Sequence, residues 1–498
     1  MSRCPGEFLA LLLLVAIVAG CEKHEEQTTA ATNPAAASPE HFVAGEAKYA
    51  PQQSVTVVME TLAPAPKPTT WLPKDSTCVT SACHAKFATA PHIHGPVSAK
   101  VCNACHQDDA GGHRYPLKRD PIATCTFCHT VSGTQQHQHK ALEKGCISCH
   151  NPHTSQAKFL LKADTVERVC ATCHEVPMKK FAHDPFAKGD CTVCHQPHES
   201  PNAMLLRGGS GIDHCFSCHA GMKEKLAKAD HLHDPATKNC STCHSPHATD
   251  IKHQLKATID KTCLTECHKP IAEHVAKAPV QHAAMVTADG CVNCHDPHGG
   301  TQTKLLKARM DAVCLTCHNK EMKAADGRVI PDMKPAIADA KFRHGPIRVG
   351  DCSACHDAHG GERVDLLKGA FPQTFYTSFA VEKYGLCFSC HEKQLVETEK
   401  TVALTGFRDG DRNLHFLHVN RDDKGRSCKT CHDVHGSDQP KHIATDVRFE
   451  NSTWAMPMNY QKTEDGGGCT PGCHKTREYS RGRAGAVSTT LPTTRGAS

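Results

Sequence analysis

The sequence predicts a mostly irregular chain with short α-helices, built from repeats, whose interior is filled by something other than its own side chains. Three observations carry this. A pair of cysteines ending in Cys-His occurs fifteen times between Cys78 and His474. The motifs fall into pairs that first recur every 45 to 48 residues, as an array made from one unit does. Aromatic residues are only 5% and the mean hydropathy is −0.45, so the polypeptide alone has a poor core.

Residues 1–20 read as a signal peptide: Arg3 precedes an apolar stretch at residues 8–19 that is too short to span a bilayer comfortably. It ends in Val18-Ala19-Gly20-Cys21, which resembles a bacterial lipobox. That likeness implies that Cys21 is lipidated and becomes an anchored N-terminus, while Cys4 leaves with the signal. Ordinary cleavage with an unmodified thiol is the alternative. Residues 21–74 shift to Ala, Pro and Thr, with Ala-Pro-Ala-Pro-Lys-Pro at 63–68, and read as a lipid-anchored tether in which His24 and His41 are solvated. Regular paired motifs occupy 75–318. Longer insertions separate them from 319 to 474, and residues 475–498 read as a disordered tail.

Twelve motifs have a two-residue spacer: Cys102-Cys105-His106, Cys125-Cys128-His129, Cys146-Cys149-His150, Cys170-Cys173-His174, Cys191-Cys194-His195, Cys215-Cys218-His219, Cys240-Cys243-His244, Cys291-Cys294-His295, Cys314-Cys317-His318, Cys352-Cys355-His356, Cys387-Cys390-His391 and Cys428-Cys431-His432. Cys263-Cys267-His268 and Cys469-Cys473-His474 have three spacer residues, and Cys78-Cys83-His84 has four. This is the attachment signature of c-type haem: two thiols add across the vinyl groups of one porphyrin, and the adjacent imidazole becomes the proximal iron ligand. Zinc knuckles also pair cysteines, but they do not require His after each second Cys. A disulfide framework gives no reason for that His either. Histidine is 39 of 498 residues, so its presence at all fifteen positions is not chance. The expected cofactor is therefore haem c, fifteen copies, held by 30 of the 32 cysteines.

The remaining histidines keep register with the motifs. One follows the second motif of most units by three residues: His153, His198, His247, His298, His359 and His435, with His113 standing in for it in the first unit. Another precedes the second motif by 7 to 10 residues: His94, His139, His183, His233, His282, His344 and His418. These are candidate distal ligands, with His442 offered to the lone last motif. The choice stays open between His92 and His94, His137 and His139, His231 and His233, His274 and His282, and His415 and His418. Met178, Met204, Met222, Met285 and Met322 lack this register and read as packing residues. Two imidazoles per iron predict low potentials and no vacant coordination site, so electrons pass and chemistry does not. Helices are expected around several motifs, with long loops, almost no sheet, and an elongated chain of haems as the core.

Over about residues 76–474 the paired motifs, the intervening His-Gly-Pro and the trailing Pro-His or Ala-His-Gly resemble the doubled Cys-x-x-Cys-His multihaem cytochromes, relatives of the cytochrome c3 group. The resemblance implies bis-histidine haems in close-packed pairs that carry electrons across the periplasm or outer membrane of bacteria respiring metals, minerals or electrodes. This chain departs from the pattern in its first unit, in the stretched spacers and in the lengthening C-terminal units.

The formal charge of +5 omits haem propionates, and nothing supports nucleic-acid binding. Expected partners are redox proteins, a porin or other multihaem cytochromes, and the outer membrane through the lipid anchor. The alternative function is a reductase with one five-coordinate haem, its pocket built from Phe375-Tyr376, His415–His418 and Trp454–Tyr460.

Overall fold

The computed structural model describes residues 78–482, apart from 82, 108–113, 132, 210, 325, 450, 451 and 453. Each unit uses two kinds of turn. First motifs lie on short α-helices: Pro121–Thr126, Val166–Ala171, Ile212–Phe216, Ile259–Leu264, Met310–Leu315 and Gly385–Phe388. Asp120 caps the first of these through Ile122 N at 2.9 Å, and Thr165 caps the second through Arg168 N at 3.2 Å, satisfying amides that a helix start leaves open. Second motifs mostly form single 3₁₀ turns, such as Cys102–Ala104, Cys146–Ser148 and Cys352–Ala354. Glycine, proline and histidine interrupt the apolar runs, so longer helices are few; Lys269–Lys277 spans 9 residues.

Sheet is present where almost none is expected, in the form of two-residue ribbons that staple one unit to the next. His92–Ile93 pairs antiparallel with Thr154–Ser155, His137–Gln138 with Glu199–Ser200, Phe181–Ala182 with Ala248–Thr249, His231–Leu232 with Gly299–Gly300, and Phe342–Arg343 with Gly436–Ser437. Units five and six make the same join through a Val280–Gly361 bridge.

The larger buried apolar and aromatic side chains gather beyond residue 365, where Phe375, Tyr384, Val396, Met456 and Met458 are buried. Phe375 stands edge-on to Tyr376 at 4.9 Å and meets Phe449 at 5.0 Å, and Phe449 meets Trp454 at 6.1 Å. The aromatic residues expected to line a pocket therefore pack on one another. A hairpin of Asp446–Arg448 with Ala455–Pro457 and the three-stranded sheet Gln461–Lys462, Gly466–Cys469 and Arg477–Ser480 complete this end. Among the described residues no helix is long and apolar enough to cross a membrane.

Candidate haem sites

Each second-motif histidine is aimed by a backbone device that the sequence does not advertise. After Cys146–His150 the chain loops and returns, so that Leu161 bridges His150 and Lys162 N donates to Cys149 O at 2.9 Å. At the tip Phe159 and Leu160 both take left-handed conformations, φ 59° and 54°. This directs Phe159 O at His150 Nδ1, 2.8 Å away. The pattern recurs at His195 with Met204, His244 with His253, His295 with Lys304 and His356 with Asp365, each at 2.8 Å, and at His432 with Lys441 at 2.9 Å. All five of these acceptors have φ between 56° and 61°. Two successive non-glycine residues in this region cost about 1–2 kcal/mol each, strain that persists only where the surroundings impose it. The carbonyl fixes the proton on Nδ1 and leaves Nε2 as the donor to a metal.

First motifs put both thiols on one helical turn. His129 N donates to Cys125 O at 3.0 Å and His174 N to Cys170 O at 2.9 Å, the ordinary i+4 closure. At the stretched Cys263-Cys267-His268 the donor is His268 N to Cys263 O at 3.1 Å, so one wider turn absorbs the extra residue. The outer stretched motifs differ: Cys469 ends a strand, and His84 has φ 48°.

The ring pairs decide which histidine serves which motif. Six of the seven upstream imidazoles face the first motif of the following unit: His94 with His129 at 5.8 Å between centroids, His139 with His174 at 5.8 Å, His183 with His219 at 5.9 Å, His233 with His268 at 6.1 Å, His282 with His318 at 6.2 Å and His344 with His391 at 5.9 Å. Every trailing imidazole faces the second motif of the preceding unit: His153 with His106 at 6.0 Å, His198 with His150, His247 with His195 and His298 with His244 at 6.1 Å, and His359 with His295 and His435 with His356 at 6.2 Å. Two imidazoles held trans on one metal by bonds of about 2 Å leave their centres about 6 Å apart. The spacing thus fits a ligated iron between each pair.

The two slots of each junction are tied together. His139 Nδ1 bonds Pro197 O at 2.9 Å, His233 Nδ1 bonds Pro297 O at 2.6 Å and His282 Nδ1 bonds Ala358 O at 3.0 Å, in each case the carbonyl just before the trailing histidine. Burial holds the rings of His153, His183, His198, His247, His298 and His344 below the ordinary imidazole range, which favours the neutral, metal-binding form.

Where the sequence leaves a choice, the faced rings are His94, His139, His233 and His282. His274 instead bonds Gly360 O at 2.9 Å and approaches Asp357 at 3.1 Å. At the C-terminal end both members of the open pair have places. His415, whose pKa burial lowers to about 4, faces His432 at 6.4 Å, while His418 lies within electrostatic reach of His474. His442, offered to the last motif, does not reach it. Its ring stands edge-on to His344 at 5.8 Å, because the left-handed turn at Lys441 and His442 folds it back over the neighbouring junction. His84 stacks on Phe87 at 5.3 Å. His113 and Cys21 lie outside the described residues.

The thiols follow one another in sequence order. Within a unit the leading cysteines are in hydrogen-bond contact: Cys78 with Cys102, Cys125 with Cys146, Cys170 with Cys191, Cys215 with Cys240, Cys263 with Cys291, Cys314 with Cys352 and Cys387 with Cys428. Between units the second motif lies within electrostatic reach of the next first motif, as in Cys105 with Cys125, Cys149 with Cys173, Cys194 with Cys218, Cys243 with Cys267, Cys294 with Cys317, Cys355 with Cys387 and Cys431 with Cys469. No step from Cys78 to Cys473 is skipped. The described cysteines are all unbridged, and among the described residues no three His, Cys, Asp or Glu side chains converge on a metal-sized site.

The doubled CXXCH motif family matches residues 94–133, 139–179, 183–224, 233–273, 282–323 and 344–395, together just over half of the chain. The chain belongs to the doubled CXXCH motif family. Each family repeat opens on an upstream histidine and runs past the first-motif histidine that it faces, so one repeat frames one ring pair. The chain is also similar to the multiheme cytochrome MtrA of Shewanella baltica, 29% identical over 99 residues. That match covers 14% of this chain and 30% of the relative. As a member of this family it is a multihaem c-type cytochrome, with haem c joined covalently through its CXXCH cysteines.

Proposed function

We propose that this doubled CXXCH cytochrome loads fifteen haems and conducts electrons along them in sequence order, each iron carrying two imidazoles. The succession of neighbouring thiols in sequence order carries this reading, because each porphyrin is held at its thioether edge and consecutive edges then lie near one another. Histidine pairs supply both axial positions at the His106 to His432 sites, and His418 supplies the second for His474. The signal peptide and Cys21 make the protein an exported, outer-membrane-anchored lipoprotein, with redox proteins, a porin or other multihaem cytochromes as partners and extracellular metals or minerals as the sink. A five-coordinate catalytic haem draws no support at the C-terminal end, where His391, His432 and His474 all have a second imidazole at hand.

Carbon monoxide tests the conduit directly, since only an open ferrous iron binds it. The fully reduced protein is expected to show no carbon monoxide difference spectrum. One stoichiometric equivalent of complex would replace the conduit with the reductase.

A further inference from the structure

The residue two positions before the trailing histidine has the same structural task in five of the six units that carry one, but not the same charge. Its side chain accepts the backbone N–H of that histidine: Asn151 from His153 at 3.1 Å, Ser245 from His247 at 3.4 Å, Asp296 from His298 at 3.1 Å, Asp357 from His359 at 3.1 Å and Asp433 from His435 at 3.0 Å. Gln196 occupies the position in the third unit. Three N-terminal units therefore use neutral groups and three C-terminal units use carboxylates. Since Asn and Ser make the same turn, the turn does not require the charge.

Those carboxylates face the distal imidazoles. Asp296 Oδ1 lies 3.6 Å from His298 Nδ1 and Asp357 Oδ1 lies 3.9 Å from His359 Nδ1. Asp433 is the strongest charge acting on His435. The second oxygen of Asp296 takes Lys225 from the preceding unit, and that of Asp357 takes His274 at 3.1 Å. In the third unit Glu199 adjoins His198, but its carboxylate accepts Gln135 N at 3.3 Å.

We infer that Asp296, Asp357 and Asp433 are redox-positioning residues that hold the haems at His244, His295 and His356 at lower potential than those at His106 and His195. Negative charge beside an axial imidazole makes the ligand more basic and favours ferric over ferrous iron. The second-motif haems thereby form a two-step gradient, and electrons on a partly reduced molecule gather toward its N-terminal half. Lys225 offsets part of the Asp296 charge, so Asp357 has the larger effect of the two. This inference rests on the bis-histidine reading above.

The test is a spectroelectrochemical titration of the loaded full-length protein and its Asp296→Asn, Asp357→Asn, Asp433→Asn triple variant, with electron paramagnetic resonance of the oxidised form. The triple variant should favour reduction about tenfold, roughly 59 mV, at three haem equivalents, and keep its low-spin bis-imidazole signals. The reverse change, Asn151→Asp with Ser245→Asp, should lower two equivalents and provides a second reading if the triple variant does not mature. Titration curves that superimpose in both sets, with bis-imidazole signals intact, would overturn the inference. Absence of those signals from the unmodified protein would instead remove the ligation reading on which it stands.

Discussion

At the scale of single residues, the ring pairs change what a ligand substitution does. His298→Met should raise the potential of one haem, because a thioether donates less strongly to ferric iron than imidazole. The affected haem is the one on Cys240 and Cys243, in the preceding unit, and not the one on Cys291 and Cys294 beside which His298 lies in sequence. Electron transfer to several unrelated acceptors should slow in a graded way, since one raised site is still crossed. Complete loss toward a single acceptor would contradict the conduit. The identity of each slot was legible in the chain, but its destination was not. His94 is 12 residues from His106 and 35 from His129, yet it faces His129. Spacing reports which residues recur, and only the ribbon joining His92–Ile93 to Thr154–Ser155 carries one unit's histidine to the next.

At the scale of the element, the left-handed turn after six of the seven second motifs is the feature that sequence reading misses. Phe159-Leu160, Met204-Leu205, His253-Gln254 and Lys304-Leu305 contain no glycine or asparagine to signal positive φ. Phe159 and Met204 are 80% exposed in the polypeptide, so protein packing does not explain them. Lys304→Gly should stabilise the loaded protein by up to about 1 kcal/mol by relieving strain, and Lys304→Val should destabilise it, both read from thermal unfolding. Beneath the turn, Ser200 is 1% exposed, donates to Leu206 O at 2.6 Å and accepts Asn202 N at 3.0 Å. Ser200→Ala should cost about 1–3 kcal/mol, because both backbone groups lose a buried partner. A loss below a few tenths would mean that water replaces the hydroxyl.

At the scale of the whole molecule, a poor core and fifteen attachment sites predict a chain that folds only when loaded. Intact mass of denatured protein should show fifteen haems, because thioethers survive denaturation. A count of twelve would mean that the stretched motifs at Cys78, Cys263 and Cys469 stay empty. Blocking attachment should give a protease-sensitive chain without a cooperative transition up to about residue 365, as metal-dependent small domains behave. Beyond it, the cluster around Tyr384, Phe375 and Met456 gives the polypeptide a core of its own. That cluster was hidden in the sequence, because its members are scattered over long insertions with neither helical nor strand periodicity.

On the ligation proposed above, ligands are exchanged between neighbours, and an array of this kind has loose ends. A second-motif iron needs a unit that comes after it, and the last full unit has none. Here the end is closed by one helix, Leu414–Val419, which presents His415 to His432 and His418 toward His474 in place of a successor. The interior is then free to vary in length. Removing one whole period, residues 183–232, should yield a shorter cytochrome with two fewer haems and every remaining iron still doubly ligated. Stopping the chain at residue 308 should uncap the array and leave the His295 iron open to carbon monoxide. A terminator of one helical turn and a half lets a repeated module be counted up or down without redesigning any junction between modules.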